Sequence, residues 1–213
     1  KSAQMVDLLV NNGSKLEGVD DSLYPPFLQA CRNNRVQAAR QLVKRGARPD
    51  ARTDRGDTPV HLASSVEMLQ FLLDELKLDH TARNSIGQSA LHTGRRSAAA
   101  ITDLIRRGLS VNAVDSNGET PLHCAARSAA SDVVRALLDG KAVVDAKSAD
   151  GSTALHCAVQ ALNHPGDCCD KRRVVELLPN AGASVNVTDG KRFTPLDYRS
   201  EEHTSELQSH LNL

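Results

Sequence analysis

The stretch Thr120-Pro121-Leu122-His123-Cys124-Ala125-Ala126 indicates the fold, because versions of it recur along the chain. Related stretches begin at five other places: Pro25, Thr58, Ser89, Thr153 and Thr194. The starting positions 25, 58, 89, 120, 153 and 194 are separated by 33, 31, 31, 33 and 41 residues. A repeat of this length predicts a stack of short supersecondary units, each leaning on its neighbours.

Each copy predicts the start of a helix. A threonine hydroxyl can accept a hydrogen bond from a backbone N–H at a helix start, and proline in the first helical position loses no hydrogen bond. These residues are Thr58, Thr120, Thr153 and Thr194, with Pro59, Pro121 and Pro195. Apolar residues at helical spacing follow each copy, in residues 36–43, 66–73, 101–105, 133–138 and 174–178. We therefore expect two short helices per unit, the second ended by a glycine such as Gly46, Gly108 or Gly182.

These motifs resemble the ankyrin repeat family, whose period and Thr-Pro-Leu-His pattern they share. The resemblance runs from residue 1 to about residue 198 and implies an all-α solenoid of helix-turn-helix units with projecting hairpin loops. It implies a half repeat at 1–21, repeats at about 22–54, 55–86, 87–117, 118–150 and 151–191, and a stub at 192–198. We expect both ends to be cut from a longer stack.

The last residues do not continue the pattern. Residues 199–213 resemble the in-frame translation of a sequencing adapter, so we expect a non-native tail there. An authentic polar C-terminal helix is the alternative.

Four positions depart from the repeat. Gly94 falls inside the first helix of the third repeat. In the fourth repeat, Lys141 stands where a glycine is expected and Gly140 comes one residue early, so we expect the helix cap to shift. Pro179 lies in a second helix and would truncate or kink its last turn. An insertion at residues 162–170 separates the helices of the fifth repeat.

The composition excludes several classes of function. The chain has 26 Lys and Arg against 26 Asp and Glu, so its formal charge is zero and we expect no nucleic-acid partner. The longest apolar run is residues 98–101, whereas a membrane helix needs about 20 residues, so we expect no membrane insertion. No secretory leader is visible, and an odd number of cysteines, 5, fits reduced thiols. These features favour an intracellular protein, cytoplasmic or nuclear.

The recurring histidines His61, His92, His123 and His156 predict scaffold hydrogen bonds. Equivalent residues in stacked repeats lie about 8–10 Å apart, too far to share one metal ion. We expect each imidazole to bond a hydroxyl of its own repeat or the backbone of the neighbouring loop. His164, Cys168 and Cys169 in the insertion are the one cluster with metal-like chemistry, and adjacent cysteines chelate one zinc poorly. We therefore expect no catalytic residue, metal or cofactor, and buried packing for Cys31, Cys124 and Cys157.

The resemblance implies a protein-interaction module, a scaffold or adaptor that acts as a monomer and binds a protein partner through loop tips and a concave face of first helices. Transferred to this sequence, the candidate partner-binding residues are Arg52, Asp54, Arg55, Arg83, Asn84, Ile86, Asp115, Asn117, Lys147, Asp150, Asp189, Lys191, Arg192 and Phe193. Ile86 and Phe193 are the best anchors, because large apolar side chains dominate interface energies. The alternative is the substrate-recognition part of a larger enzyme, such as a ubiquitin ligase or an ankyrin-bearing kinase.

Asn112 and Asn186 follow valine, with a leucine eight residues earlier in each case. This context resembles ankyrin-repeat sites of asparaginyl hydroxylation. Ser110 and Ser184 stand where the preferred acidic residue would be, so we favour the alternative, in which a buried asparagine holds the loop backbone.

Overall fold

The computed structural model describes residues 24–93, 96–163 and 168–198, which fall into two compact units divided between Ala90 and Leu91. These residues form helices and turns and contain no β-strand. Helix pairs are present in four of the five expected repeats, whereas in the third a 3-10 turn, Ala90–His92, stands in place of the first helix. The half repeat at 1–21, Gly94, residues 164–167 of the insertion and the tail at 199–213 lie outside the described residues.

The first unit contains two helix pairs. Helices α1 (Pro26–Arg32) and α2 (Val36–Lys44) form the first, and α3 (Pro59–Leu62) and α4 (Val66–Gln70) form the second. A π-helical segment, Phe71–Glu75, continues α4. Helix α1 packs on both α2 and α3. The core is built from buried side chains of all these segments, among them Phe27, Leu28, Met68, Leu69 and Leu72.

The second unit begins within the 3-10 turn Ala90–His92. Its helices are α5 (Ala98–Arg106), α6 (Pro121–Arg127), α7 (Ser131–Asp139), α8 (Ala154–Leu162) and α9 (Cys168–Asn180), and a 3-10 turn, Pro195–Tyr198, follows them. The first helices α6 and α8 pack side by side, and the second helix α7 packs against α5, α6 and α9. Leu104, Leu122, Leu137, Leu155 and Leu178 are fully buried between them. Leucine and alanine suffice because each layer is thin.

The π-helical segment corrects the expectation of a regular second helix at residues 66–73. In the first pair, Ala47 N–H donates to Leu42 O, five residues earlier, whereas Leu78 N–H donates to Leu72 O, six residues earlier. One extra residue therefore lies between the buried leucine and the end of the helix. The wider π turn accommodates it and keeps Phe71, Leu72 and Leu73 buried.

The expected shift of the helix cap at Lys141 is wrong. Lys141 itself takes the left-handed conformation, with φ of 69°, where Gly46, Gly108 and Gly182 have φ of 95°, 98° and 95°. Its N–H donates to Leu138 O, and Ala142 N–H donates to Leu137 O, as in the equivalent turn at Gly108. Packing of the flanking residues fixes the turn, so lysine is held in a strained backbone conformation.

Replacing Lys141 with glycine is expected to raise the free energy of unfolding by about 1 kcal/mol, because glycine carries no steric penalty at positive φ. Urea denaturation of the purified chain, followed by circular dichroism, measures the change. The control is Lys141→Ala, which removes the charged side chain and keeps the strain, and should give no gain. Equal stabilisation by both variants would contradict the backbone explanation.

The truncation expected at Pro179 is also wrong. Helix α9 continues through Pro179 to Asn180, and the N–H of Ala181 still donates to Leu177 O and Leu178 O. Because Pro179 lies one residue before the end of the helix, its missing N–H interrupts the ladder only in the last turn.

Candidate protein-interaction surface

The four recurring histidines are buried, three of them in the first turn of a first helix and His92 in the 3-10 turn Ala90–His92. The Nδ1 atoms of His61, His123 and His156 accept the backbone N–H of Thr58, Thr120 and Thr153 at 3.2, 3.2 and 3.1 Å. The threonine hydroxyls lie 2.8, 2.9 and 2.9 Å from the same nitrogens. Since Nδ1 accepts a backbone N–H, it carries no proton, and Nε2 is the protonated nitrogen.

The protonated Nε2 atoms tie each repeat to the loop that follows it. Those of His61, His123 and His156 lie 3.0 Å from the carbonyl oxygens of Gln88, Ser152 and Phe193. His92 makes the equivalent contact with Glu119 O at 3.1 Å. The imidazoles therefore bridge a helix start and the neighbouring loop, which places them in the scaffold that holds the loops.

Lowering the pH is expected to destabilise the protein through His123. Burial lowers the pKa of His123 from its ordinary value of 6.5, so the unfolded chain binds a proton more readily than the folded one. The contribution of neutral His123 to the free energy of unfolding is complete above the pKa of this histidine in the unfolded chain. It decreases as the pH falls below that value. A protonated Nδ1 would also point a donor at the Thr120 N–H.

Urea midpoints measured at about pH 7.5 and about pH 5.5 test this dependence, since they bracket the unfolded pKa. His123→Asn should show a smaller loss of stability between the two values than the parent chain. The control, His80→Asn, changes a half-buried histidine outside the helix starts and should keep the parental loss. A His123→Asn variant with the parental loss would contradict the assignment.

The described residues contain five loops of one construction, at residues 53–57, 84–88, 115–119, 148–152 and 189–193. In each, the N–H of the first residue donates to the carbonyl of the fifth at 2.9–3.0 Å. The fourth residue is left-handed, with φ between 65° and 79°, and is glycine except at Arg192. Each loop is therefore a tight, backbone-bonded turn.

The first residue of each loop is held inside the turn. Oδ1 of Asp115 accepts the N–H groups of Asn117 and Glu119 at 2.9 and 3.0 Å, and Oδ1 of Asp189 accepts those of Lys191 and Phe193 at 2.8 and 3.0 Å. Both aspartates are buried. The Tyr198 hydroxyl donates to Asp189 and is the main reason that the pKa of this carboxyl lies below its ordinary value.

Several candidate residues therefore serve the loops themselves. The amide oxygen of Asn84 accepts the N–H groups of Ile86 and Gln88. The Asp150 carboxylate accepts hydrogen bonds from the Ser148 hydroxyl and from the N–H and hydroxyl of Ser152. Together with Asp115 and Asp189, these side chains are occupied by their own turns, because aspartate and asparagine satisfy turn N–H groups.

The other candidates lie on the surface. The exposed candidate side chains are Arg52, Asp54, Arg55, Arg83, Ile86, Asn117, Lys147, Lys191, Arg192 and Phe193, and Asp150, which bonds its own turn, is exposed as well. Ile86 is 45% exposed and Phe193 46% exposed. Phe193 also contacts Tyr198 edge to face, with ring centroids 5.5 Å apart. Within each unit, these tips are presented by loops that the backbone fixes.

Successive loops contact each other through the backbone. Ser85 N–H donates to Arg55 O at 2.9 Å in the first unit, and Ala149 N–H donates to Asn117 O at 2.8 Å in the second. The left-handed glycines permit this approach, because a Cβ on Gly56 would lie 2.9 Å from Ser85 N. The tips are therefore ordered relative to one another inside each unit.

Sequence reasoning missed two surface features of the second unit. Arg127, in the last turn of α6, forms a two-pronged ion pair with Glu119, the last residue of the third loop. Hydrogen bonding to Glu119 raises the pKa of Arg127. Val143 is 54% exposed beyond α7. The opposite charges at 119, before α6, and at 127, in its last turn, were the available signal for the ion pair.

Cys31, Cys124 and Cys157, the cysteines whose side chains the structure describes, are protonated thiols at neutral pH. Burial raises the pKa of Cys31 and Cys157, and it raises the pKa of Cys124 to about 12. Since the thiolate is the nucleophile, these side chains do not provide one. In the part of the chain that the structure describes, no three His, Cys, Asp or Glu side chains are placed to hold a metal ion. The side chains of His164, Cys168 and Cys169 lie outside the described residues.

Asn112 bonds the next repeat. Its amide oxygen accepts the N–H of Val143 at 2.8 Å, and its amide nitrogen donates to Lys141 O at 3.3 Å. It holds the backbone of the following turn, as expected from sequence. The expected burial is wrong, because Asn112 is exposed and makes these bonds at the surface.

Within the described ranges, no helix is both long and apolar enough to cross a membrane.

Comparisons with known proteins agree with this architecture. A family model described as ankyrin repeats (3 copies) matches residues 1–84 and 89–189. Human neurogenic locus notch homolog protein 2 is 32% identical over 131 residues, which cover 59% of this chain and 5% of that protein. The Xenopus laevis notch homolog protein 1 is 29% identical over 153 residues, 69% of this chain and 6% of that protein. This chain therefore spans a small part of these relatives.

Among solved structures, the ankyrin repeat domain of Bcl-3, described as a unique member of the IkappaB protein family, has a TM-score of 0.61 and 28% identity. The alignment covers 97% of this chain and 91% of the Bcl-3 domain.

Proposed function

Because this chain belongs to the ankyrin repeat family, whose repeats are protein-interaction modules without catalytic function, we propose that it binds a protein partner through its loop tips and the adjoining first helices. The observation that carries the proposal is the exposure of Ile86 and Phe193 on backbone-fixed loops. Rigid loops on a repeat scaffold place side chains for recognition at little entropic cost. We further propose that the chain acts inside the cell, in the cytoplasm or nucleus, as a monomer.

The buried histidines support this proposal. Each imidazole bonds the start of its own helix and a carbonyl oxygen of the next loop, so hydrogen bonds from the scaffold hold the loops that carry the tips. The protonated thiols supply no nucleophile. What remains at the surface is a set of charged and apolar tips suited to recognition.

Affinity capture from cells tests the proposal with two matched variants. The tip variant combines Arg55→Glu with Phe193→Ala. The control combines Arg106→Glu with Val143→Ala, which makes the same change in charge and also removes an exposed apolar side chain, at positions outside the five loops. We expect proteins captured by the parent and by the control to be lost from the tip variant. Identical protein sets from both variants, with both folded by circular dichroism, would contradict the use of the tips.

A further inference from the structure

The two loops of the first unit, residues 53–57 and 84–88, are joined by hydrogen bonds and form one edge of that unit. Besides the bond from Ser85 N–H to Arg55 O, the Asn84 side chain donates to the Asp57 carboxylate at 2.8 Å. Gly56 allows the backbones to touch. The tip residues Arg55 and Ile86, which occupy equivalent positions 31 residues apart, therefore belong to a single preformed surface.

Neutral backbone groups position two arginines on this edge. Nη1 of Arg52 donates to Gly56 O at 3.1 Å and to Arg83 O at 3.3 Å, and Nη1 of Arg83 donates to Gly87 O. A carbonyl oxygen carries no net charge, so these bonds orient the guanidinium groups without neutralising them. With the exposed Arg55, three positive groups line the two loops.

The nearby carboxylates offset this charge in part. Asp54 is exposed between Arg52 and Arg55, whereas Asp57 is half-buried against Asn84. Asp79 is exposed as well, interacts electrostatically with Arg52, and accepts the N–H and hydroxyl of Thr81 at 2.8 and 2.7 Å. Within residues 52–57 and 83–88, Arg52, Arg55 and Arg83 outnumber the two carboxylates, Asp54 and Asp57, of which Asp57 is half-buried.

We propose that Arg52, Arg55, Arg83 and Ile86 bind an acidic segment of a protein partner that also carries an apolar side chain. This inference rests on the proposed function and names the chemistry of the partner. A guanidinium forms two parallel hydrogen bonds with a carboxylate, and Ile86 gains by leaving water against an apolar group. Because the loops are preformed, little ordering opposes binding.

A protein segment fits this edge better than a nucleic acid. Phosphate binding draws on an extended positive field, and the chain has 26 basic against 26 acidic side chains. A phosphate backbone also offers Ile86 no apolar partner. An acidic peptide with an apolar residue satisfies both features.

Selection from a display library of random linear peptides on the full chain tests this inference. We expect enriched peptides to carry Asp or Glu beside a large apolar residue. Their affinity, measured by fluorescence anisotropy, should fall by about tenfold or more with Arg55→Glu/Arg83→Glu and with Ile86→Ser. The matched control, Arg106→Glu/Arg135→Glu, makes the same change in charge on helices α5 and α7 and should bind as the parent does. Arg52→Lys keeps the positive charge, so it should lower the peptide affinity less than Arg52→Glu does.

The outcomes separate this inference from the proposed function. Peptides without acidic residues that are lost with Lys191→Glu or Phe193→Ala would overturn the inference and leave the proposed function standing. If no tip variant lowered the affinity of the selected peptides, or if no peptide were enriched, the result would contradict both the inference and the proposed function. The inference would also be overturned if a single-stranded RNA probe bound more tightly than the selected peptides and Ile86→Ser did not change its affinity. Circular dichroism verifies that each variant is folded.

Discussion

Replacing Leu137 with alanine is expected to lower the free energy of unfolding by about 2–5 kcal/mol. Leu137 is fully buried in α7, which packs against α5, α6 and α9. Removing three carbon atoms there loses apolar burial and leaves a cavity that the surrounding helices close only in part. Such a loss is a large fraction of the 5–15 kcal/mol or so that a typical domain has.

Urea denaturation followed by circular dichroism measures this loss. The matched control is Val143→Ala in the same repeat, where the side chain is 54% exposed. Its effect should stay within about 0.5 kcal/mol, as for most surface substitutions. A Leu137→Ala variant as stable as the control would show that α7 does not contribute a packed layer to the core.

The helix starts could be predicted from the sequence because their hydrogen bonds are local. Threonine and proline at positions 120 and 121 specify the first turn within a few residues, and the structure begins α6 at Pro121. The recurrence of the pattern supported the same prediction at each copy, although the copies at Ser89 and Thr194 begin 3-10 turns and not α-helices. The ankyrin solenoid predicted from these copies is confirmed by the family match and by the likeness to the Bcl-3 domain.

The irregular segments could not be predicted because neighbouring packing decides them. The extra residue in the π-helical segment is invisible to apolar spacing, since residues 71–73 are Phe-Leu-Leu and any register buries some of them. At Lys141 the local preference for glycine loses to the packing of α7 and the turn that follows it. Tertiary contacts override propensity at such positions.

The surface was predicted in part. The exposed tips follow from turn composition, but composition alone does not distinguish an aspartate that faces a partner from one that binds its own loop. Comparing the first positions of the loops identifies the structural ones except Asp150, which is the third residue of its loop: residues 53, 84, 115, 148 and 189 are Thr, Asn, Asp, Ser and Asp. All five have side chains that can bond turn backbone groups, which is the signal for a structural role.

Replacing Gly118 with alanine is expected to cost about 2–4 kcal/mol, because the residue is held in two ways. Its φ is 70°, a conformation that strains an L side chain, and a Cβ there would lie 2.9 Å from Ala149 N. That N–H donates to Asn117 O at 2.8 Å, so relief of the clash must stretch the bond that joins successive loops.

Gly108→Ala provides the control, since Gly108 has φ of 98° and nothing within 4 Å of an added Cβ. The control should cost about 1 kcal/mol from strain alone. Urea denaturation of both variants measures the difference, and equal costs would show that the loops shift freely and do not hold the tips.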